Sequence, residues 1–133
     1  TFPVQIAYNL IPQIGGFDEQ GYSSEEMKLQ NEGRKILHDP ALRVSCTCVR
    51  VPVLRCHSES ITLETEREVS LDEVRRAIME AEGDQDTVEV GRLRRDLASE
   101  QGIALWCCGD QLRKGAATNA VEIVRALWQG QEI

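Results

Sequence analysis

The sequence predicts an α+β fold with a mixed, largely antiparallel sheet and helices on one face. The first observation is the order of patterns: an apolar segment, a helix, a run of strand-like segments that encloses a second helix, and a final helix. The second is the alternation of polar and apolar residues in SESITLETE, which is typical of a strand with one face in water. The length of 133 residues suits one ordinary domain.

The first third of the chain predicts a strand, a loop and a capped helix. Residues 2–11 are mostly apolar and bounded by prolines, which indicates a buried strand. Residues 13–22 contain three glycines and predict a loop. Ser23 is followed three residues later by Glu26, the pattern of a capping box. We therefore expect a helix from Ser23 to about Leu37, ending before the next proline.

The middle of the chain predicts two strands and a second helix. Residues 43–51 indicate a strand, Pro52 interrupts it, and a further strand is expected over 54–66. Ser70 and Glu73 repeat the capping-box pattern. The apolar stripe of this second helix is predicted to consist of Leu71, Val74 and Ile78.

The last third predicts two strands and a long helix. An acidic link at 82–86 leads to a strand over 88–97 and a clearer one over 103–108. Asp110 is expected to cap a helix that runs to about Trp128. That helix would carry small residues that either allow close approach of another backbone or pack in the core: Gly115, Ala116, Ala117 and Ala120.

Composition excludes several classes of protein. The formal net charge of -7 disfavours a nucleic-acid partner, because phosphate binding needs a basic face. No apolar run approaches the length of a membrane span. The chain starts on an apolar segment without Met, so we expect a piece of a longer protein.

The five cysteines predict reduced thiols in a cytoplasmic protein. Their number is odd, and no CxxC pair or paired histidine spacing indicates a metal site. We therefore expect neither a disulfide scaffold nor a bound metal. A nucleophilic role for one cysteine is the minority interpretation.

Two clusters carry polar chemistry. The stretch RVPVLRCHSE joins Arg50 and His57 across a proline, and a break there would let both side chains point into one space. His57 could be an acid/base group or an ordinary half-buried histidine. Glu25 and Lys28 are three residues apart on one helical face and could be a binding pair or a solvated ion pair.

Four blocks of the chain resemble bacterial aspartate-semialdehyde dehydrogenases. They follow in the family's order and cover most of the chain: FPVQIAYNLIPQI, GYSSEEMKLQNEGRKILHD, CVRVPVLRCHSESITLE and LWCCGDQLRKGAATNAVEI. The resemblance implies reduction of L-aspartyl 4-phosphate by NADPH to aspartate semialdehyde, with release of phosphate, in lysine, threonine and methionine biosynthesis. It further implies a homodimer and a fold like the C-terminal domain of glyceraldehyde-3-phosphate-dehydrogenase-type enzymes.

The resemblance also assigns roles to residues. It implies that Glu25 receives the substrate ammonium, Lys28 meets the phosphate, and Arg50 grips the carboxylate. It makes His57 the acid/base and brings Gln111 against the nicotinamide cofactor. Residues 1–108 would be a substrate-binding and dimerisation domain, and 109–133 a helix that packs on an NADP-binding domain outside this chain.

The chain departs from the family's pattern in three respects. It contains neither the N-C-[ST] motif of the cysteine nucleophile nor a GxGxxG dinucleotide fingerprint. The link near Gly83–Asp86 is also shorter than expected. The isolated chain should therefore lack turnover. Two alternatives remain open: an N-acetyl-glutamyl-phosphate reductase, and a non-catalytic dimerisation module of the same fold.

Overall fold

The structure, a computed structural model, describes residues 2–82 and 88–130. The chain divides into two compact units, Thr1–Leu54 (the N-terminal unit) and Arg55–Ile133 (the C-terminal unit). The predicted link at Gly83–Asp86 lies outside the described residues. Among the helices of the described ranges, none combines the length and the apolar character needed to cross a bilayer.

The first helix, α1 (Ser24–Ile36), begins at the predicted capping box. The Ser23 backbone N–H donates to Glu26 Oε2 at 2.6 Å, and the Glu26 N–H donates to Ser23 Oγ at 3.5 Å. Both side chains are buried, so the bonds that start the helix are shielded from water. The helix ends at Ile36 with Leu37 as its C-cap, and the following His38 has a φ of 53°. The prediction for this helix is confirmed at both ends.

The predicted strands over 2–11 and 43–51 are wrong. Among the described residues of these segments, the only ladder contact is an isolated antiparallel bridge between Ile11 and Arg50. The first segment turns at Tyr8, whose φ is 59°, and it is almost entirely exposed up to residue 10. The second alternates half-buried and exposed residues, as an extended chain does, but Cys46 and Cys48 bond to Glu26 of α1 instead of a neighbouring strand. A strand needs a hydrogen-bonded partner strand along its length, and here the two segments pair at one residue each, Ile11 and Arg50.

The C-terminal unit is built on a three-stranded antiparallel sheet. Its strands are β1 (His57–Glu64), β2 (Glu89–Arg95) and β3 (Gly102–Gly109), in the order β1-β3-β2. The central strand supplies the buried core of the unit, which consists of Ile103, Ala104 and Leu105. The three strand predictions are confirmed, although β1 starts three residues late because Cys56 turns the chain with a φ of 76°.

The second helix, α2 (Leu71–Glu82), repeats the capping box of α1 and packs on β2. The Ser70 N–H donates to Glu73 Oε2 at 2.7 Å, and the Glu73 N–H donates to Ser70 Oγ at 3.1 Å. The predicted stripe of Leu71, Val74 and Ile78 is half-buried. With three helices and an antiparallel sheet, the described elements confirm the α+β class.

The long helix predicted from Asp110 is wrong in its first half. The helix α3 spans Thr118–Trp128 and is preceded by an irregular turn, Arg113–Ala117. Gly115 has a φ of 83°, and its two neighbours also leave the helical region. The predicted small-residue face therefore does not form. The exposed apolar side chains of α3 are larger instead: Val121, Ile123, Val124, Leu127 and Trp128.

Glu26→Gln should lower the thermal unfolding midpoint and flatten its acid dependence. The Cys48 N–H, and after it the Ser23 N–H, hold the pKa of the Glu26 carboxyl below its ordinary value of 4.5. Such a carboxylate stabilises the fold above that value, and the contribution is lost as pH falls through the lowered folded-state pKa. Melting curves between about pH 7 and pH 3 measure this.

Glu73→Gln is the matched control for Glu26→Gln, because the same box caps α2 but Glu73 is more exposed and makes no bond to a distant segment. We expect it to cost less at neutral pH. Equal losses in the two variants would show that the bond from Cys48 adds nothing to the cap.

Gly115→Ala should destabilise the protein by about 1–2 kcal/mol, the usual cost of placing an L-residue in the left-handed region. A Cβ on Gly115 meets no atom within 4 Å, so strain in φ is the only penalty. Gly91→Ala is the control, since its Cβ is equally unobstructed and its φ is not positive. Urea unfolding of the two variants measures the difference, and equal stabilities would contradict the strained turn.

Candidate active site

The start of α1 presents one acid and one base to solvent. Lys28 Nζ lies 3.3 Å from Glu25 Oε2, and the side chains are 55% and 41% exposed. An exposed pair of this kind contributes little to stability, so a charged ligand can separate it at low cost. The capping box fixes the backbone from which both side chains extend.

Arg50 is held by its backbone while its side chain stays exposed. Its N–H donates to the Ile11 carbonyl at 2.9 Å and its carbonyl accepts from the Ile11 N–H at 3.1 Å. The guanidinium lies over the Phe2 ring, 5.2 Å from the centroid. Within the described parts of the chain no carboxylate is paired with Arg50, so its donor fork is available to a ligand.

One short loop ties Arg50 to the start of α1. Three residues after Ile11, the Ile14 carbonyl accepts from the Glu25 N–H at 3.4 Å, and the Gly16 carbonyl accepts from the Ser24 N–H at 2.9 Å. A second tie runs through the Cys48 N–H, which donates to Glu26 Oε1 at 2.8 Å. Glu25, Lys28 and Arg50 thus belong to one braced framework in the N-terminal unit.

His57 lies at the first position of β1, opposite Gly109 at the end of β3. Beside this pair, Arg55 and Asp110 form an ion pair at 2.6 Å. The strand ends frame a shallow depression of about 150 Å³. The two predicted site residues of this unit, His57 and Gln111, both line it. The lining also includes Glu59, Cys107, Gly109 and Lys114.

The turn after β3 places Gln111 in the depression. Asp110 organises the turn: its Oδ1 accepts from the Leu112 N–H at 3.0 Å, and its carbonyl accepts from the Arg113 and Lys114 N–H groups. The Gln111 Oε1 is buried and has no hydrogen-bond partner among the described residues. A buried acceptor without a donor is unfavourable, so this oxygen is suited to a donor on a ligand.

Cys107 lies in the depression but is a poor nucleophile. Burial, and then the nearby Glu59 carboxylate, raise the pKa of its thiol. A thiol that stays protonated at neutral pH reacts slowly. None of the five cysteines, all within described residues, forms a disulfide. In the described ranges, no cluster of three or more His, Cys, Asp and Glu side chains is arranged to hold a metal ion.

The structure brings together two pairs of residues for which roles were predicted. Glu25 and Lys28 form an ion pair, and His57 and Gln111 line one depression. The expectation that Arg50 and His57 point into one space stays a prediction. Sequence reasoning missed Lys114, whose Nζ lies 2.7 Å from Glu122 Oε2 at the edge of the depression. The signal was a lysine four residues after Asp110, but the position of its side chain depends on the irregular backbone of this turn.

Comparison with known proteins identifies a family. The family model described as semialdehyde dehydrogenase, dimerisation domain, matches residues 1–84. An aspartate-semialdehyde dehydrogenase from Aquifex aeolicus is 45% identical over 145 residues, covering 95% of this chain and 43% of that protein. One from Campylobacter jejuni is 42% identical, covering 94% and 42%. The matched regions are longer than this chain, so these relatives contain residues without a counterpart here.

Solved structures give the same result. The aspartate semialdehyde dehydrogenase II of Vibrio cholerae, described as complexed with ASA, superposes with a TM-score of 0.89 at 40% identity and covers 96% of this chain and 43% of its own. A probable aspartate-semialdehyde dehydrogenase from Pseudomonas aeruginosa gives 0.82 at 34% identity, covering 95% and 43%. The chain spans less than half the length of the relatives it matches. It belongs to the aspartate-semialdehyde dehydrogenase family, and its residues 1–84 match that family's dimerisation domain.

Proposed function

We propose that the chain is the substrate-binding and dimer-forming part of an enzyme that converts L-aspartyl 4-phosphate and NADPH to L-aspartate 4-semialdehyde, NADP and phosphate. The observation that carries this proposal is the braced framework of Glu25, Lys28 and Arg50 in the N-terminal unit. Its three charged groups match, with opposite sign, the three charged groups of the substrate. Family membership supports the same reaction.

Each substrate group has a chemically suited partner. The Glu25 carboxylate would receive the ammonium. The Arg50 guanidinium would bind the planar carboxylate through two parallel hydrogen bonds, for which its fork geometry is suited. The Lys28 ammonium would meet the phosphoryl group as a compact charge. Because Glu25 and Lys28 are paired and exposed before binding, both can exchange that contact for the substrate.

His57 would act as the acid/base group. Histidine can take and return a proton near neutral pH, and His57 is exposed at a strand end beside the depression. The resemblance implies a cysteine nucleophile outside this chain. His57 would remove its thiol proton as the sulfur attacks the substrate carbonyl, forming a thioester while phosphate leaves. The raised pKa of Cys107 argues against that thiol in this role.

Gln111 fits a contact with the nicotinamide cofactor. Its buried Oε1 lacks a donor, and the carboxamide of a nicotinamide ring carries an N–H₂ group that can supply one. The bound cofactor would supply the hydride that reduces the thioester. The role of Gln111 would be to orient the ring by accepting this hydrogen bond.

The assembly we propose is a cytoplasmic homodimer in lysine, threonine and methionine biosynthesis. The dimerisation-domain match supports the dimer. The division into 1–108 and 109–133 stays a prediction, with the last segment packed on an NADP-binding domain outside this chain. The exposed apolar side chains of α3 support that packing, since a large apolar stripe is unfavourable in water: Val121, Val124, Leu127 and Trp128.

His57→Asn in the complete enzyme should lower kcat about a hundredfold or more, the usual scale for loss of an acid/base group. His38→Asn is the matched control, because the chain's other histidine is exposed after α1 and asparagine tolerates its φ of 53°. Steady-state kinetics with aspartate semialdehyde measure both. Wild-type turnover in the His57 variant would contradict the assigned role.

Glu25→Gln should raise the KM for aspartate semialdehyde about tenfold, because the ammonium loses its charged partner. Glu32→Gln, an exposed carboxylate farther along α1, should leave KM unchanged. This test also separates the proposal from an N-acetyl-glutamyl-phosphate reductase, whose substrate has a blocked amine. Unchanged kinetics in the Glu25 variant would favour that alternative, and no turnover in any form would favour the non-catalytic module.

A further inference from the structure

We propose that Cys46 and Cys48 form a dithiol site that binds a trivalent, thiophilic arsenic centre as a bridge between the two sulfurs. The two residues lie on the extended segment that runs beside α1. Along this segment Val44, Cys46 and Cys48 are half-buried, and the residues between them are exposed. Residues two apart on an extended chain point to the same side, so both thiols face the same neighbourhood.

Contacts with Glu26 of α1 fix the Cys46 thiol and the Cys48 backbone in position. Cys46 Sγ donates to the Glu26 carbonyl at 3.8 Å, and the Cys48 N–H donates to Glu26 Oε1 at 2.8 Å. The Cys46 thiol is close enough to Cys48 to contribute to the raised pKa of that thiol. The pair is half-buried rather than sealed, so a small reagent can reach it. Two fixed, adjacent sulfur ligands are what a soft, thiophilic centre requires.

The spacing favours a bridging atom over a direct disulfide. On an extended chain the Cα atoms of alternate residues lie about 6.7 Å apart, at the upper limit of disulfide geometry, about 4.4–6.8 Å. A direct bond would leave the backbone no room to extend further, whereas one inserted atom spans a wider separation of the sulfurs. Peroxide oxidation is also disfavoured, because burial and then Cys46 raise the pKa of Cys48 to about 11.

The reaction needs no oxidant. An organic arsenic(III) oxide loses its arsenic–oxygen double bond, the two thiols lose their S–H bonds, and two arsenic–sulfur bonds form. The oxygen and both protons leave as water. Arsenic stays trivalent and both sulfurs keep their oxidation state, so the product is reversible by a competing small dithiol.

The chain contains its own negative control. Cys107 and Cys108 are adjacent on β3, so their side chains point to opposite faces of the sheet and one atom cannot bridge them. A reagent that recognises paired sulfurs should ignore that pair. A reagent that reacts with single thiols does not need two sulfurs on the same side, so this difference should not make it prefer Cys46 and Cys48 over Cys107 and Cys108.

The bridge should also affect substrate binding, and this part rests on the proposed function. Cys46 and Cys48 both contact Glu26, whose carboxylate caps the helix that carries Glu25 and Lys28. An atom inserted between the sulfurs would displace at least one of these contacts. We expect a rise in KM for aspartate semialdehyde that a competing dithiol reverses.

Phenylarsine oxide with the complete protein tests the site. In excess glutathione, which removes arsenic from single thiols, intact mass should show one retained adduct, and peptide mapping should place it on Cys46 and Cys48. Cys46→Ser and Cys48→Ser should each lower retention at least tenfold, and Cys107→Ser should not. An adduct elsewhere, or no adduct, would overturn the proposal.

Two further readouts keep the outcomes distinct. If a serine variant fails to fold, mapping of the wild-type adduct alone decides the site, with release by 2,3-dimercaptopropanol as the check. An adduct on Cys46 and Cys48 with unchanged kinetics would support the dithiol site and contradict its coupling to the substrate. An adduct in an enzyme without aspartate-semialdehyde activity would support the site while the proposed function fails.

Discussion

The Glu26 carboxylate is the contact on which the N-terminal unit depends. One oxygen accepts the Ser23 N–H and starts α1, and the other accepts the Cys48 N–H from a segment 22 residues away. A carboxylate with only 8% of its residue surface exposed is unfavourable unless such bonds replace its water. The pKa of Glu26 is lowered because the hydrogen bonds from Cys48 and Ser23 outweigh the opposing effect of burial. One side chain therefore fixes where the helix begins and where the extended segment lies.

The Glu26 contact positions the candidate site residues of the N-terminal unit, and the pairing of His57 with Gly109 positions those of the C-terminal unit. Glu25 and Lys28 extend from the helix turn that Glu26 caps, and Arg50 lies two residues beyond Cys48. In the C-terminal unit, the pairing of His57 with Gly109 determines which residues meet at the strand ends. In both units the exposed functional side chains stand on backbone that is fixed by bonds they do not make themselves, which leaves them available to a ligand.

Local patterns were predicted well, and pairings between distant segments were not. The two capping boxes were predictable because Ser23 and Glu26, like Ser70 and Glu73, need only three residues of spacing. The strand predictions held where a partner existed: the alternation in β1 is matched residue by residue along β3. The same kind of pattern over residues 43–51 did not form a strand. Its Cys48 N–H bonds to the Glu26 side chain of α1, and its only ladder contact among the described residues is the single bridge between Arg50 and Ile11.

The site residues show the same limit. The resemblance named Gln111, but no sequence pattern indicates that its amide oxygen is buried without a donor, since this depends on the turn around Asp110. The helix start near residue 110 was misplaced because Gly115 was counted as a small helical residue. Its φ of 83° makes it a turn residue instead. A single glycine in a helix-like pattern is compatible with a continuous helix and with a turn. Only the conformation of the surrounding backbone distinguishes the two.

The net charge of the chain sharpens the argument for a built site. At -7, the charge of this chain repels an anionic ligand at long range, so the field of these residues does not attract one. Under the proposed function, binding would come from local groups held in place: the Arg50 fork, which lacks a carboxylate partner in the described residues, and the Lys28 ammonium, whose exposed ion pair is weak. Such contacts act over a few ångströms and depend on backbone geometry. Under the proposed function, the buried Glu26 bonds that brace this backbone would therefore support substrate recognition as well as stability.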